Sequence, residues 1–348
     1  MKRRQLEKET EEYNHVYVNL EATNNTNEDK ICQFEMKGIR LFQDDASIYS
    51  VSVNRLSMDG VSIPILNMPD DTKYEVRVQI GVKVGTAFVK YVKLDGRNPF
   101  NFGVYSYRHL CDMISDALFR ATETMDVSVT GTIPSFRFYS DKFALFIPDR
   151  FNDPLRPESD GIYFNQALYS LFENFYVRKQ SNGWAQFITD PTDVTTKNFG
   201  SGGINVAVPD GYSVSSTEYQ AFNRLMSTHS VVIKTSSLAT KPEFISNINT
   251  TNNLSGDINN SGNIPKSNML TDLVLSVDSG DTGGVRGHIY YAPSRSRFID
   301  IIGRDVTDID CAIFLKDRQG IEIPFYIAPG SVVTLKLQFI RKDHLSNI

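Results

Sequence analysis

The sequence predicts an all-β protein, an antiparallel β-sandwich of the jelly-roll type arranged as two β-domains with one short helix in each. Three observations predict it. Apolar and polar residues alternate with a period of two in many short runs, as half-buried strands require. Gly- and Pro-rich turns separate those runs at short spacing. Of the 348 residues, 11% are aromatic, with 22 Phe and 16 Tyr against one Trp, a composition suited to strands rather than a helical bundle.

Residues 1–30 mix Lys, Arg and Glu with Asn24, Asn25 and Asn27, and show little periodicity beyond Val16–Leu20. They read as a flexible arm, ordered only where something holds it. From Ile31 the pattern turns β. Tyr49, Val51 and Val53 alternate with polar residues, and Asp59-Gly60 turns the chain into Val61–Ile65, predicting a hairpin. Val76, Val78, Ile80, Val82 and Val84 predict one amphipathic strand, which Gly85-Thr86 turns into a second over Ala87–Leu94. Phe136 and Phe138, the Ser140-Asp141 turn, and Phe143, Leu145 and Ile147 predict a third hairpin.

One segment departs from this period. Tyr107, Leu110, Cys111, Ile114, Ala117, Leu118 and Ala121 share a helical face behind Ser106 as N-cap. A second short helix is predicted over Phe164–Phe175, with Phe164, Leu168, Leu171, Phe172 and Phe175 as a packing stripe. Between the helices, the turn-rich Pro148–Pro157 marks the expected boundary between a first β-domain, 31–155, and a second, 156–348.

The second half continues with β runs at Trp184–Thr189, Ile204–Val208 and Val231–Thr235. Residues 246–268 hold eight asparagines among Ser, Thr and Gly, too few apolar groups to offset ordering entropy, and read as a long surface loop. The chain ends with its strongest β signal: Ile309, Cys311, Ile313 and Leu315, a turn over Lys316–Gly320, then Ile321, Ile323 and Phe325. Val333, Leu335, Leu337 and Phe339 follow the Pro329-Gly330 turn. Val61–Pro69 and Ile321–Pro329 resemble each other, each with a proline inside an apolar strand. Duplication and chance explain such a nine-residue pair equally well.

Composition excludes several function classes. The 36 basic and 41 acidic side chains leave a net charge of −5, the wrong sign for a protein that lives by binding duplex nucleic acid, so no specific nucleic-acid partner is expected. The three cysteines, Cys32, Cys111 and Cys311, are odd in number and far apart, which fits free thiols in a reducing compartment. The charged start lacks the apolar core of a signal peptide, and no run reaches the ~20 apolar residues of a membrane span. Synthesis in a cytoplasm is expected.

The motifs with catalytic overtones fail on context. Asp278-Ser-Gly280 and Asp281-Thr-Gly283 match the aspartic-protease tripeptide, but that dyad needs two loops facing across a cleft and these are consecutive. The string also resembles a serine-protease nucleophile loop with Thr282 in place of serine, and neither His109 nor His229 sits in a supporting motif. The five histidines, His15, His109, His229, His288 and His344, lack zinc-site spacing, and no glycine-rich phosphate loop is present. Lys2-Arg-Arg4 and Arg295–Arg304 are interleaved with or followed by acids, as solvated faces are. No catalytic residue, cofactor-binding residue or metal ligand is assigned, and the chain is not expected to be an enzyme.

The whole pattern, and especially Tyr105–Leu118, Tyr163–Phe172 and Ile309–Lys342, resembles the jelly-roll capsid proteins of non-enveloped icosahedral viruses, in the virophage and Polinton-like lineage. The resemblance spans about residues 31–342 and is compatible with a double jelly roll or a penton-type single jelly roll with an added domain. It implies a structural virion protein made in the host-cell cytoplasm. Its partners would be other copies of itself and other capsid proteins, with a host receptor as a further candidate. Residues 1–30 would contact neighbouring subunits and the 246–268 loop would face solvent. Lattice or vertex, and trimer or pentamer, stay open. The alternative is a carbohydrate- or receptor-binding β-sandwich module, fibre- or lectin-like, with Trp184, Tyr212 and Tyr219 as loop aromatics. A hydrolase centred on Asp278 and Asp281 is the third class.

Overall fold

The computed structural model describes residues 15–38, 40–42, 44–125, 133–139, 142–151, 160–189, 196–199, 204–217, 228–241, 269–274, 288–292, 297–317 and 320–347. The Asn-rich 246–268 stretch, the Asp278–Gly283 string, the Ser140-Asp141 turn, Tyr219 and Lys2-Arg-Arg4 lie outside them.

The strands pair antiparallel throughout, as the alternation predicts. The chain divides into two compact units, but not as consecutive halves. One unit draws on Met1–Ile63, Thr228–Ser276 and Val285–Ile348, and the other on Pro64–Ser227. The expected boundary near residue 155 falls inside the second unit. There Glu75–Ile80 pairs with Gly161–Phe164, and Lys142–Pro148 pairs with Tyr212–Ser216 across it. A turn-rich segment is punctuation within a sheet as readily as between domains, and composition cannot tell the two apart.

The first unit is a two-sheet sandwich. One sheet runs in the order His15–Thr23, Val332–Arg341, Tyr49–Asp59, His288–Tyr291, with Ile299–Asp300 also paired to Tyr49–Asp59. In the other, Ile309–Asp317 lies between Thr228–Lys234 on one side and Gln33–Met36 and Glu322–Pro324 on the other, and Met269–Val274 extends it. Inward residues of both sheets, among them Val18, Leu20, Val53, Ile233, Ile313, Leu335 and Phe339, form one buried cluster.

Of the flexible arm expected over residues 1–30, the part from His15 onward is corrected here, and residues 1–14 lie outside the described residues. His15–Thr23 is a nine-residue strand in register with Val332–Ile340, and its Val18, Leu20 and Ala22 are buried. Asn24 is 1% exposed. Its amide donates to the Ile327 and Glu28 carbonyls (both 2.8 Å), its Oδ1 accepts from Thr26, and its backbone bonds Gly330 and Ser331. The strand that holds this segment is contributed from the far end of the sequence, so local pattern could not reveal it. The Asp59-Gly60 hairpin is also absent. A 3-10 turn, Gly60–Ser62, follows Tyr49–Asp59, and the next strand, Leu66–Asn67, pairs with Gly103–Val104 instead. Of the two similar stretches, Val61–Pro69 carries the paired strand Leu66–Asn67 and Ile321–Pro329 carries Tyr326–Ile327 at the matching place, but only the second also has the paired strand Glu322–Pro324.

The second unit packs helix α1, Tyr107–Glu123, against a five-stranded sheet of order Val177–Lys179, Ala185–Phe187, Gly161–Phe164, Glu75–Ile80, Lys83–Phe88, and against the three-stranded sheet Tyr212–Ser216, Lys142–Pro148, Ser135–Tyr139. Ser106 caps α1 as expected, accepting from the His109 N–H. The second helix is shorter than predicted. Phe164 ends a strand, α2 covers only Gln166–Tyr169 behind the Asn165 cap, and turns carry Phe172 and Phe175 into the core. Both helices fall in this unit because their apolar faces share one cluster. That core is largely aromatic: Phe136, Phe143, Phe164, Phe172, Phe175 and Phe187 meet at centroid separations of 4.6–6.5 Å, mostly edge-on or tilted.

Candidate assembly surfaces

Among the aromatics expected to bind sugar, Trp184 and Tyr212 serve the fold. Trp184 is half-buried on the turn between Val177–Lys179 and Ala185–Phe187, with the Arg77 guanidinium lying over its ring and over Tyr163, 6.0 and 5.2 Å from the centroids. The Tyr212 hydroxyl donates to the Ile133 carbonyl and accepts from its N–H, both at 3.2 Å. The two aromatics stand on different sheets and form no common platform.

The histidines are dispersed. His109 is buried in α1 with Nε2 bonded to the Val92 carbonyl at 2.8 Å, whereas His229 is exposed on Thr228–Lys234. His15 stacks on Tyr17, His288 bonds Ser57, and His344 lies 3.8 Å from Asp343. Among the described residues no group of three or more His, Cys, Asp or Glu could hold a metal. The three cysteines are free and buried, and burial pushes each thiol far above its ordinary value, away from the thiolate that reactive cysteines need. Arg297 to Arg304 brackets Asp300, which accepts from Ser50 and pairs with Lys342.

The surface of the second unit carries two features that sequence reasoning missed. The predicted strand Val76–Val84 is really a hairpin: Glu75–Ile80 turns at Gly81-Val82, with Gly81 at φ 58°, and returns as Lys83–Phe88. Register pairs even with odd positions across this turn, so the valine rhythm changes face. Val76 and Val78 are buried, whereas Val84 is 44% and Val82 98% exposed. Gly85 is not the turn. It lies in the strand where a Cβ would stand 1.9 Å from the Ala121 carbonyl oxygen, so only glycine lets the strand run this close to α1.

Lys83–Phe88 is a sheet edge among the described residues. Val89 N donates to Tyr74 O at 2.8 Å, which identifies that pair as hydrogen-bonded; by alternation Val84, Thr86 and Phe88 aim their backbone groups outward. Arg120, paired with Asp116 at 2.8 Å, reaches over and donates to the Phe88 carbonyl, also at 2.8 Å. Beside it lies a shallow, open depression bounded by Thr86, Ala87, Phe88, Lys90, Arg120, Glu123 and Thr124.

The second feature is the loop ahead of α1. Phe100 is 78% exposed at its tip. Asn98 Oδ1 accepts from Phe100 N and its carbonyl from Asn101 N, both at 3.0 Å. Buried Asn101 accepts from Gly103 N at 2.9 Å and donates to the Tyr105 hydroxyl at 3.0 Å, and Arg97 lies 3.9 Å over the Tyr105 ring. The turn residues Gly96, Asn98 and Pro99 just ahead of Phe100 are the sequence signal for this display.

A jelly-roll sandwich with an inserted aromatic-cored unit, carrying an open sheet edge and an exposed aromatic tip, defines a building-block protein, in which function lies in surfaces. The sequence matches the Sputnik minor capsid protein V18/19 family over residues 12–341, and the chain belongs to that family. Its fold is similar to the mavirus penton protein, with a TM-score of 0.61 at 16% identity over 94% of this chain and 99% of that one. It is likewise similar to a chain of the Sputnik virophage particle, with a TM-score of 0.65 at 18% identity over 95% and 98%. No curated protein matches it in sequence. The protein is thus a virion structural protein, a capsid subunit that assembles with other capsid proteins. No helix among the described residues is long and apolar enough to cross a membrane.

Proposed function

We propose that this capsid subunit is of the penton type, building vertices of an icosahedral shell from copies of itself that seat against the other capsid proteins. It acts structurally and not as a catalyst, and it is made in the cytoplasm of the infected cell. The observation that carries the reading is coverage: the family match runs from residue 12 to 341 and so takes in both units, the inserted one included. The likeness to the mavirus penton protein over nearly the whole of both chains supports the vertex over the lattice. A single sandwich interrupted by a second unit of different architecture also fits a vertex better than a tandem pair of like sandwiches. Mass photometry with negative-stain imaging across salt and pH tests it. Pentamers are expected; trimers would move the protein to the lattice, and a monomer under every condition would count against self-assembly.

A further inference from the structure

We propose that the loop Lys90–Phe100 is a peripheral membrane contact, which lays Val92, Leu94 and Phe100 into the headgroup region of an anionic lipid bilayer. The contact goes beyond the capsid reading, and either can fail without the other.

The loop is closed at its base and braced. The Tyr91 hydroxyl donates to the Gly103 carbonyl at 3.1 Å, and its ring meets Phe102 edge-on with 5.7 Å between centroids, so the two ends of the excursion are pinned together. Tyr91 N donates to Asp71 Oδ1 at 2.9 Å, Val92 N to the Met113 sulfur at 3.3 Å, and His109 bonds the Val92 carbonyl. Two turns shape the top. Arg97 N donates to the Leu94 carbonyl at 3.3 Å, with Gly96 at φ 77° between them, and Asn101 N donates to the Asn98 carbonyl at 3.0 Å. A loop ordered in advance does not have to be ordered on binding.

The loop displays three apolar side chains: Val92 is 52%, Leu94 42% and Phe100 78% exposed. Single apolar residues scattered over a surface need no explanation, but these stand within nine residues of one braced segment. A phenylalanine this exposed projects from the surface instead of lining a cleft. A projecting aromatic suits a fluid layer, which needs no complementary pocket and takes up aromatic rings at the headgroup level. Cations are interleaved with the apolar residues. Lys90, Lys93 and Arg97 stand against one acid, Asp95, in a chain whose net charge is −5. Lys90 and Lys93 are exposed, and such side chains lay their stems along apolar surface while their heads reach into the polar layer. An anionic bilayer carries its charge diffusely, so a local basic excess is attracted without pairwise register.

Flotation of the full chain with vesicles of phosphatidylcholine alone, and of an equimolar mixture with phosphatidylserine, tests the contact, with far-UV circular dichroism as the folding control. Wild type should bind the mixed vesicles. Phe100→Asp should bind at least about tenfold more weakly, and the double variant Lys90→Gln/Lys93→Gln about 30-fold more weakly. Insertion itself is read with Phe100→Cys carrying an environment-sensitive dye; Cys32, Cys111 and Cys311 are buried, so the introduced thiol alone is labelled. The dye emission should shift to the blue on the mixed vesicles. A wild-type chain that ignores both vesicles, binding undiminished by Phe100→Asp, or an unshifted dye on bound vesicles would each overturn the contact. Pentamers formed by wild type and lost in Phe100→Asp, with no vesicle binding, would assign the loop to a protein partner and overturn it as well, leaving the vertex reading intact.

Discussion

Replacing Asp310 with Asn should destabilise the first unit in a pH-dependent way. Asp310 opens the strand Ile309–Asp317 and gathers the segment that leaves Thr228–Lys234. Its Oδ1 accepts from Ser236 N (2.9 Å), Ser237 N (2.6 Å) and the Thr235 hydroxyl (3.2 Å), the Ser236 hydroxyl donates to Oδ2, and the Ser237 hydroxyl accepts from Asp310 N (2.8 Å). Partial burial alone would raise the carboxyl pKa, but these donors outweigh it and bring it from 3.8 down to about 2. At ~1.4 kcal/mol per unit the undiscounted linkage is about 2.5 kcal/mol; solvent screening at this partly exposed site reduces it to about 1–1.5 kcal/mol. Because the folded value is depressed, the stabilisation is fully present above pH ~4, where the unfolded carboxyl is also ionised, and is lost as pH falls from 4 through 2. Urea unfolding of wild type and Asp310→Asn should therefore show a gap of about 1–1.5 kcal/mol at pH 7 that shrinks by half or more near pH 2. Taking the difference between the two proteins cancels the other titrating groups. A gap independent of pH would refute the clamp.

Gly85→Val should push Lys83–Phe88 off α1 and cost at least about 2 kcal/mol, read by chemical denaturation, whereas Gly183→Ala, where an added Cβ meets nothing, should pay only for its left-handed φ. Asn24→Ala leaves the buried Ile327 carbonyl and the partly exposed Glu28 carbonyl without their donor and should cost about 1–3 kcal/mol by the same assay; an unchanged midpoint would show that the segment is not anchored there. Ser106→Ala should cost about 0.5–1 kcal/mol, the low end for a cap because its bond to His109 N is 3.4 Å long. Deleting residues 1–23 should lower the melting temperature sharply by stripping a strand from the sheet, where a merely appended arm would leave it unchanged.

What was legible follows from range. Tyr107–Glu123 and its Ser106 cap were visible because helix periodicity and capping are local. Val333, Leu335, Leu337 and Phe339 were visible as one buried face for the same reason. The fate of Val16–Leu20 was not, because the strand it joins lies more than 300 residues away. Nor was the change of face at Gly81-Val82: glycine at 81 and at 85 look alike in sequence, and only the approach of Ala121 shows that the first turns the chain and the second admits a helix. The unit boundaries escaped because one unit is inserted within the other. The exposed Phe100 tip and the Lys83–Phe88 edge escaped because each is defined by what surrounds it and not by residue type.

The pairing of His15–Thr23 with Val332–Arg341 places the two ends of the sequence in one sheet. On a ribosome the stretch Pro64–Ser227 emerges before the sandwich has the strand that lies between His15–Thr23 and Tyr49–Asp59, because that strand, Val332–Arg341, is made later. A translation product that stops before Val332 therefore lacks the strand that joins the other two and leaves their facing edges unpaired.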